Sequence, residues 1–225
     1  QKFTILFDLD GTLVDTAPDL MRAHNHVMKK FGYPTKSTDE IRNLVGQGAG
    51  AMLGRSIWGQ AKKEFGKVQD EKIKKEMVSD FIDFYGKNIV NESTLIAGVK
   101  EFLIWCKKRK ISMAVCTNKQ EHLSIDLLKK IGIYDFFEYV AGHNTFEYCK
   151  PDPRHLTSVV EILDGEVSKT LMIGDSETDA NAAKNAGIPL ILLEDGYTEK
   201  KTTEIYHNHL VKDFVGIENI VLKYL

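Results

Sequence analysis

The 225-residue sequence has few cysteines, no excess of basic charge and no long apolar run. Its three cysteines are widely spaced and odd in number, with no CxxC pair, which argues against a disulfide framework and favours a reducing compartment. With 30 basic and 32 acidic residues the formal charge is -2, so nothing in the charge balance favours binding to nucleic acid or to a membrane surface. No apolar segment approaches the roughly 20 residues that span a bilayer, and the N-terminus lacks the pattern of a secretion signal. We therefore expect a cytoplasmic protein without a membrane or nucleic-acid partner.

The composition is that of a folded globular protein. Hydrophobic residues make up 43% of the chain and charged residues 28%, which supplies a core and gives no sign of global disorder. The length suits one domain with a moderate insertion. It does not determine the oligomeric state, and both a monomer and a homodimer remain open.

The predicted secondary structure falls into two regions. A helix is expected from about 18 to 31, and residues 38–90 show helical patterning interrupted by glycines, without an alternating strand. Elsewhere short strands alternate with helices of about ten residues, which indicates a parallel sheet covered on both faces. Strands are expected at 3–7, 111–116, 139–141, 171–173 and 188–193, and helices at 99–110, 120–130, 153–163, 177–186 and 214–225. The sequence thus predicts an α/β fold with an inserted helical unit.

Polar residues follow three of the predicted strands at the point where each strand ends. Asp8 follows the first, Thr117 and Asn118 follow the second, and Asp175 follows the fourth. Because ligands bind at the carboxyl ends of strands in open parallel sheets, we expect these side chains to converge although more than a hundred residues separate some of them.

The converging side chains suit a metal ion and a phosphoryl group. Asp8, Asp10 and Asp175 supply the hard oxygen ligands that Mg²⁺ prefers. The hydroxyl and amide after the second strand are short donors for phosphoryl oxygens, and Lys150 adds a point charge. The sequence contains no serine–histidine or cysteine–histidine arrangement that competes with this set.

Four segments resemble the motifs of the haloacid dehalogenase-like hydrolase superfamily, in its order and at its usual separations. They are Asp-Leu-Asp-Gly-Thr-Leu-Val-Asp-Thr at 8–16, Thr117–Lys119, Lys150–Pro151 and Gly174–Asp179. The resemblance implies a Rossmann-like core formed by 1–15 and 96–225 and a helical cap formed by 16–95. It also implies hinges near 15–18 and 93–98, about which the cap opens and closes.

The resemblance also implies a role for each motif residue. Asp8 would be the nucleophile and Asp10 the general acid and base, with Lys150 completing the catalytic set. The ligands of Mg²⁺ would be Asp8, Asp10, Asp175 and Asp179, with Asp179 as a supporting group. The phosphoryl group would be held by Gly11, Thr117 and Asn118.

The second aspartate of the first motif separates two chemistries of this superfamily. Its dehalogenases resemble this chain less at Asp10, because they lack the second aspartate. A halide leaves without a proton, whereas an alkoxide needs one. We therefore expect phosphoryl transfer through a phospho-aspartate on Asp8.

Two further segments, 174–200 and 45–55, resemble the phosphoglycolate phosphatase branch of the superfamily. This resemblance implies hydrolysis of 2-phosphoglycolate to glycolate and phosphate. We expect Gly48 and Arg55, or Arg42 in place of Arg55, to contact the substrate when the cap closes, because a guanidinium suits a planar carboxylate.

Several alternatives remain open from the sequence. The phosphatase could act on a sugar phosphate, a nucleotide or pyrophosphate, the chain could be a sugar-phosphate mutase, or it could be a catalytically silent binding protein of the same fold. Local structure also offers simpler roles. Asp179 would stabilise a helix dipole, Arg55 would be a surface residue of a cap helix, and His24 is expected to be a packed histidine rather than a catalyst.

Overall fold

The computed structural model describes residues 2–58 and 68–225, and its centre is a sheet of six parallel strands. The strands are β1 (Thr4–Phe7), β4 (Ser112–Cys116), β5 (Tyr139–Ala141), β6 (Thr170–Gly174), β7 (Leu190–Leu193) and β8 (His209–Val211). Their order in the sheet is β5-β4-β1-β6-β7-β8, which makes the first strand of the chain a central one. Phe7 at the end of β1 pairs with Val115 on one side and Ile173 on the other, so the ends of these three strands are level.

Helices cover both faces of this sheet, because every residue of its central strands is buried and alternate residues point to opposite faces. Ile5 and Phe7 belong to one apolar cluster, which the helices α5 (Val99–Lys108) and α6 (Glu121–Lys130) complete. Leu6 belongs to a second cluster, against which α7 (Arg154–Ile162) and α8 (Glu177–Ala186) pack. This arrangement confirms the α/β fold with a Rossmann-like core.

In the described part of the chain, four helices are inserted between the first strand of the sheet and the rest of the core. They are α1 (Ala17–Phe31), α2 (Thr38–Arg42), α3 (Ala49–Trp58) and α4 (Val68–Lys87). α1 packs along α4, and its buried His24 bonds to Asn25 and to the Ser56 hydroxyl, as expected of a packed histidine.

A short antiparallel pair joins the chain as it enters and leaves this helical insertion. β2 (Val14–Asp15) pairs with β3 (Thr94–Leu95), and the sequence did not predict either strand. Beside this pair the Asp19 carboxylate accepts hydrogen bonds from the backbone of residues 91–93 and from the Ser93 hydroxyl, at 2.6–3.2 Å. We call residues 91–95 the return linker. The division into a core of 1–15 and 96–225 and a cap of 16–95 stays a prediction; its two boundaries would fall at the ends of β2 and β3.

The C-terminal region differs from the sequence-based expectation. The edge strand β8 was not predicted, and the helix expected over 214–225 is reduced to α9 (Glu218–Val221). The rest of the expected helix consists of turns. Gly216 has a left-handed φ of +77°, and several backbone hydrogen bonds of this segment join residues that are three positions apart. Within the described ranges, no helix is long and apolar enough to cross a membrane.

Candidate active site

Three neighbouring strands deliver the predicted residues to one edge of the sheet. Asp8 directly follows β1, and its amide donates to the Ile173 carbonyl of β6 at 3.0 Å. Thr117 directly follows β4, and Asp175 directly follows β6. The carboxylates of Asp8, Asp175 and Asp179 place oxygens within 4.8 Å of one another. The convergence expected from the strand ends is therefore present.

Lys150 is the cation at the centre of this cluster. Its ammonium donates to Asp8 Oδ1 at 2.9 Å and to Asp179 Oδ1 at 2.6 Å, and only 3% of the residue is exposed. Burial alone would lower the pKa of Lys150, but the adjacent carboxylates of Asp179 and Asp8 more than offset that effect and raise it. Lys150 therefore stays charged and fixes the orientation of the Asp8 carboxylate.

The three carboxylates leave the cluster short of positive charge. Burial, followed by repulsion from Asp179, raises the pKa of Asp8 to about 6 even though Lys150 opposes the shift. Burial and the charges of Asp8 and Asp179 raise the pKa of Asp175 well above its usual value. Three ionised acids beside one ammonium carry a net charge of about -2, which is costly away from water. A divalent cation would balance that charge, so the donor set fits Mg²⁺.

Asp179 holds the loop that carries Asp175. It is fully buried, and its Oδ2 accepts from the Asp175 amide at 3.0 Å and from the amide and hydroxyl of Ser176 at 3.2 and 3.1 Å. Its other oxygen accepts from Lys150. Direct ligation of a metal by Asp179 stays a prediction, whereas its present bonds fix the first turn of α8.

The Asp175 carboxylate is oriented by two further residues. Thr12 donates its hydroxyl to Oδ1 at 2.9 Å, and the Tyr197 amide donates to Oδ2 at 2.6 Å. Gly11 and Gly196 make this close approach possible: a Cβ on Gly11 would lie 2.3 Å from Asp175 Oδ2, and one on Gly196 would lie 1.8 Å from the Asp175 carbonyl oxygen. Gly11 thus leaves room for the predicted ligand, and its contact with substrate stays a prediction.

Tyr197 connects this carboxylate to the start of the helical insertion. Its hydroxyl donates to Asp15 Oδ1 and accepts from the Ala17 amide at 3.0 Å. The sequence alone indicates no role for Tyr197, because only the fold brings the loop after β7 next to residues 15–17.

Asp10 has one engaged oxygen and one free oxygen. Its Oδ1 accepts from the Thr16 hydroxyl at 2.6 Å and from the Lys119 ammonium at 2.6 Å. No residue that the structure describes donates to Oδ2, and Asp10 faces the cavity described below. The free oxygen is therefore available to exchange a proton with a bound molecule.

Asn118 fastens the loop before α3 to the core. Its amide group donates to the Gly46 carbonyl at 3.1 Å and to the Lys150 carbonyl at 2.8 Å. The Thr117 hydroxyl accepts from the Lys119 amide at 3.1 Å and keeps its own hydrogen for another acceptor. Binding of the phosphoryl group by Thr117 and Asn118 stays a prediction, and Asn118 would have to exchange one of these carbonyls for it.

A cavity of about 790 Å³ lies between the carboxyl edge of the sheet and the helical insertion. Its floor consists of core residues, namely Asp8, Asp10, Thr117, Asn118, Lys119, Gln120, Leu123 and His143. Its roof consists of Leu20, residues 45–52 and several residues of α4. Gly48, predicted to contact the substrate, lies in this roof, and that contact stays a prediction.

The two candidate arginines lie outside this cavity. Arg55 donates to the Glu199 carboxylate and to the Asn43 carbonyl, both at 2.6 Å. Arg42 donates to Asp15 at 3.1 Å. The structure therefore does not bring Arg55 to the other predicted residues, because its helix face points at the loop containing Glu199. Contact with substrate would require Arg55 to leave both partners.

Comparison with known proteins identifies the family. Residues 5–193 match the family model of haloacid dehalogenase-like hydrolases. The chain is 39% identical over 214 residues to a phosphoglycolate phosphatase of Caulobacter vibrioides, covering 95% of this chain and 88% of that protein. It is 36% identical over 210 residues to one of Mesorhizobium japonicum, covering 93% and 90%.

Solved structures agree with this assignment. The crystal structure of a predicted phosphoglycolate phosphatase from Haemophilus somnus superposes with a TM-score of 0.88 at 30% identity, covering 97% of each chain. CbbY from Rhodobacter sphaeroides, solved in complex with phosphate, shares the fold with a TM-score of 0.76 at 22% identity, covering 96% of each chain. The chain described here belongs to the haloacid dehalogenase-like hydrolase family.

Proposed function

We propose that the protein is a magnesium-dependent phosphatase that hydrolyses 2-phosphoglycolate to glycolate and phosphate through a phospho-aspartate on Asp8. The observation that carries the proposal concerns two carboxylates that line the same cavity. The buried carboxylate of Asp8 is held by Lys150 at 2.9 Å, and the carboxylate of Asp10 has only one of its oxygens engaged. The substrate is taken from the relatives named above, which are phosphoglycolate phosphatases.

The residues that would hold Mg²⁺ are Asp8, Asp175 and the backbone carbonyl of Asp10, with Asp179 as the fourth candidate. When bound, the ion reduces the repulsion between the anionic nucleophile and the anionic phosphate and orients both. Thr12 and the Tyr197 amide would keep Asp175 in place for this task, since they hold both of its oxygens.

The first half of the reaction transfers the phosphoryl group to the protein. A carboxylate oxygen of Asp8 forms a bond to phosphorus, and the bond between phosphorus and the glycolate oxygen breaks. The leaving oxygen takes a proton from Asp10 Oδ2, since Oδ1 is occupied by Thr16 and Lys119. Lys150 stays beside Asp8 and compensates the negative charge that builds up on the phosphoryl oxygens.

The second half returns the protein to its starting state. Asp10, now ionised, takes a proton from a water molecule whose oxygen attacks the phosphorus of phospho-Asp8. The bond between phosphorus and the Asp8 oxygen breaks, phosphate leaves, and Asp10 is protonated again. General acid and base catalysis of this kind typically contributes about 10²–10⁴-fold to the rate.

The test is phosphate release from a panel of phosphorylated metabolites, with and without Mg²⁺. We expect 2-phosphoglycolate to be the preferred substrate, and Asp8→Asn to abolish turnover while the protein remains folded. Asp152→Asn is the matched control, because Asp152 is an acid paired with exposed Arg154 outside the cavity. Phosphate release by Asp8→Asn at the wild-type rate would refute the nucleophile. A preference for a sugar phosphate, a nucleotide or pyrophosphate would refute the substrate.

The cellular location follows only as part of this proposal. The substrate is a small anionic metabolite, and the described helices include none that could cross a membrane. A cytoplasmic protein without a nucleic-acid partner, as a monomer or homodimer, is the form that we propose.

A further inference from the structure

Lys119 is a buried cation in the cavity that the phosphatase reaction does not use. Its ammonium lies 2.6 Å from Asp10 Oδ1 and 4.7 Å from the centroid of the Tyr85 ring, and its side chain is 6% exposed. An ammonium has three N–H donors, so the bond to Asp10 leaves donors for a second acceptor.

Tyr85 supplies a second donor at the same place, from α4 in the roof of the cavity. Its hydroxyl is buried, and its hydrogen has no acceptor among the described residues. Burial raises the pKa of Tyr85 to about 12, so the phenol stays protonated at neutral pH. A buried donor without an acceptor is unfavourable, and an anionic ligand would supply that acceptor.

The geometry of the substrate places its carboxylate near these two donors. In 2-phosphoglycolate one methylene group joins the leaving oxygen to the carboxylate, so their oxygens lie only about 3 Å apart by bond lengths. Proton transfer requires Asp10 Oδ2 to lie about 2.6–3.2 Å from the leaving oxygen. Lys119 binds the other oxygen of that same Asp10 carboxylate. Its ammonium is therefore within reach of the substrate carboxylate while Asp10 is at work.

We propose that the Lys119 ammonium and the Tyr85 hydroxyl form the subsite that binds the carboxylate of the substrate. The inference rests on the proposed function and deepens it, because it selects phosphomonoesters that carry an anionic group one carbon from the ester oxygen. It replaces Arg55 in that role, since Arg55 is bound to Glu199 outside the cavity. Lys119 belongs to the core and Tyr85 to the insertion, so the subsite is complete only when the two are in contact.

The test compares 2-phosphoglycolate with ethyl phosphate, in which a methyl group replaces the carboxylate. The readout is the ratio of the two kcat/KM values, because an effect of Lys119 on Asp10 alone changes both rates together. We expect Tyr85→Phe, which keeps the ring, to lower this ratio about tenfold, as for a lost hydrogen bond to a charged group. Lys119→Gln is expected to lower the rates with both esters, and to lower the ratio at least as much as Tyr85→Phe does. Two controls, Lys75→Gln at an exposed lysine of the same cavity and Arg55→Gln, should keep the wild-type ratio.

A binding experiment covers the case in which Lys119→Gln is too slow to assay. The inhibitor 3-phosphonopropionate carries the carboxylate, and propylphosphonate lacks it. The ratio of their binding affinities should shrink about tenfold in each variant. If Tyr85→Phe and Lys119→Gln both hydrolyse ethyl phosphate and keep the wild-type ratio of kcat/KM values, the subsite is overturned while the proposed phosphatase activity stands. A lower ratio in Arg55→Gln alone would overturn it in favour of Arg55. A wild-type protein that hydrolyses neither ester would overturn both the subsite and the proposed function.

Discussion

The affinity of the protein for Mg²⁺ should depend on pH because protons compete for the ligands. The pKa of Asp8 is raised from 3.8 to about 6, first by burial and then by Asp179. Mg²⁺ binds the ionised carboxylate, so each ion that binds to a protonated site must release the proton. With a pKa of about 6, the ionised fraction of Asp8 is roughly 0.9 at pH 7 and roughly 0.09 at pH 5. The dissociation constant for Mg²⁺ should therefore be about tenfold larger at pH 5 than at pH 7, equivalent to about 1.4 kcal/mol of binding free energy.

Calorimetric titration with Mg²⁺ at pH 5 and pH 7, in two buffers of different ionisation enthalpy, measures both quantities. We expect release of about one proton from Asp8 at pH 5 and about 0.1 at pH 7. Asp175, whose pKa is also raised, should add to both effects. Asp152→Asn is the matched control, because hydrogen bonds from Arg154 lower the pKa of Asp152 to about 2, so it does not titrate in this range. Equal affinities at pH 5 and 7 with no proton release would refute the electrostatic account of the site.

Metal affinity is a better readout than thermal stability because two groups have opposite effects on stability. The folded protein without metal binds Asp8's proton more tightly than the unfolded chain does, so this group lowers the free energy of unfolding as the pH rises from about 4 to 6. Burial lowers the pKa of His155 from 6.5 to about 4, so His155 raises the free energy of unfolding over nearly the same interval. The two contributions partly cancel in a melting experiment, whereas a titration with Mg²⁺ at fixed pH isolates the metal ligands.

Three further changes have measurable consequences. Asp179→Ala leaves Lys150 with one carboxylate fewer and removes the acceptor of three hydrogen bonds. The free energy of unfolding, measured by denaturant titration, should therefore fall by about 3–5 kcal/mol. A loss below about 1 kcal/mol would contradict this expectation. Gly196→Ala would force its Cβ against the Asp175 carbonyl, and calorimetry should detect weaker Mg²⁺ binding; wild-type affinity would show that the loop can adjust. Asp19→Ala removes the acceptor that holds the return linker. A protease should then cut the return linker at least about tenfold faster than in the wild type, as expected for a loss of roughly 1.5–3 kcal/mol in local stability. An unchanged cleavage rate would argue against this role of Asp19.

The predictable part of the site is the part that strand topology determines. Asp8, Thr117 and Asp175 each follow a buried apolar strand, and parallel strands end at one edge, so their convergence could be deduced before any coordinates. The helical insertion was predictable for a similar reason, since its apolar spacing and glycine interruptions fit helices and not strands. The small pair of β2 and β3 was not, because two-residue strands carry no periodicity.

The contacts between distant loops could not be deduced from the sequence. In the sequence, Lys119 stands out only as the third residue of a motif, although its ammonium contacts Asp10, which is 109 positions away. Tyr85 reads as an ordinary core aromatic of α4, and its unpaired hydroxyl becomes evident only in three dimensions. Arg55 has the right chemistry for a carboxylate, but the rotation of α3 turns it to Glu199. Such outcomes depend on where a side chain points, which residue type and spacing do not specify.

The division of the cavity into a floor from the sheet and a roof from the inserted helices has an evolutionary consequence. The atoms that would form and break bonds to phosphorus all belong to the floor, whereas α3 and α4 contribute only to the roof. Mutation in the roof can therefore retune which metabolite fits, while the displacement chemistry beneath it is inherited unchanged.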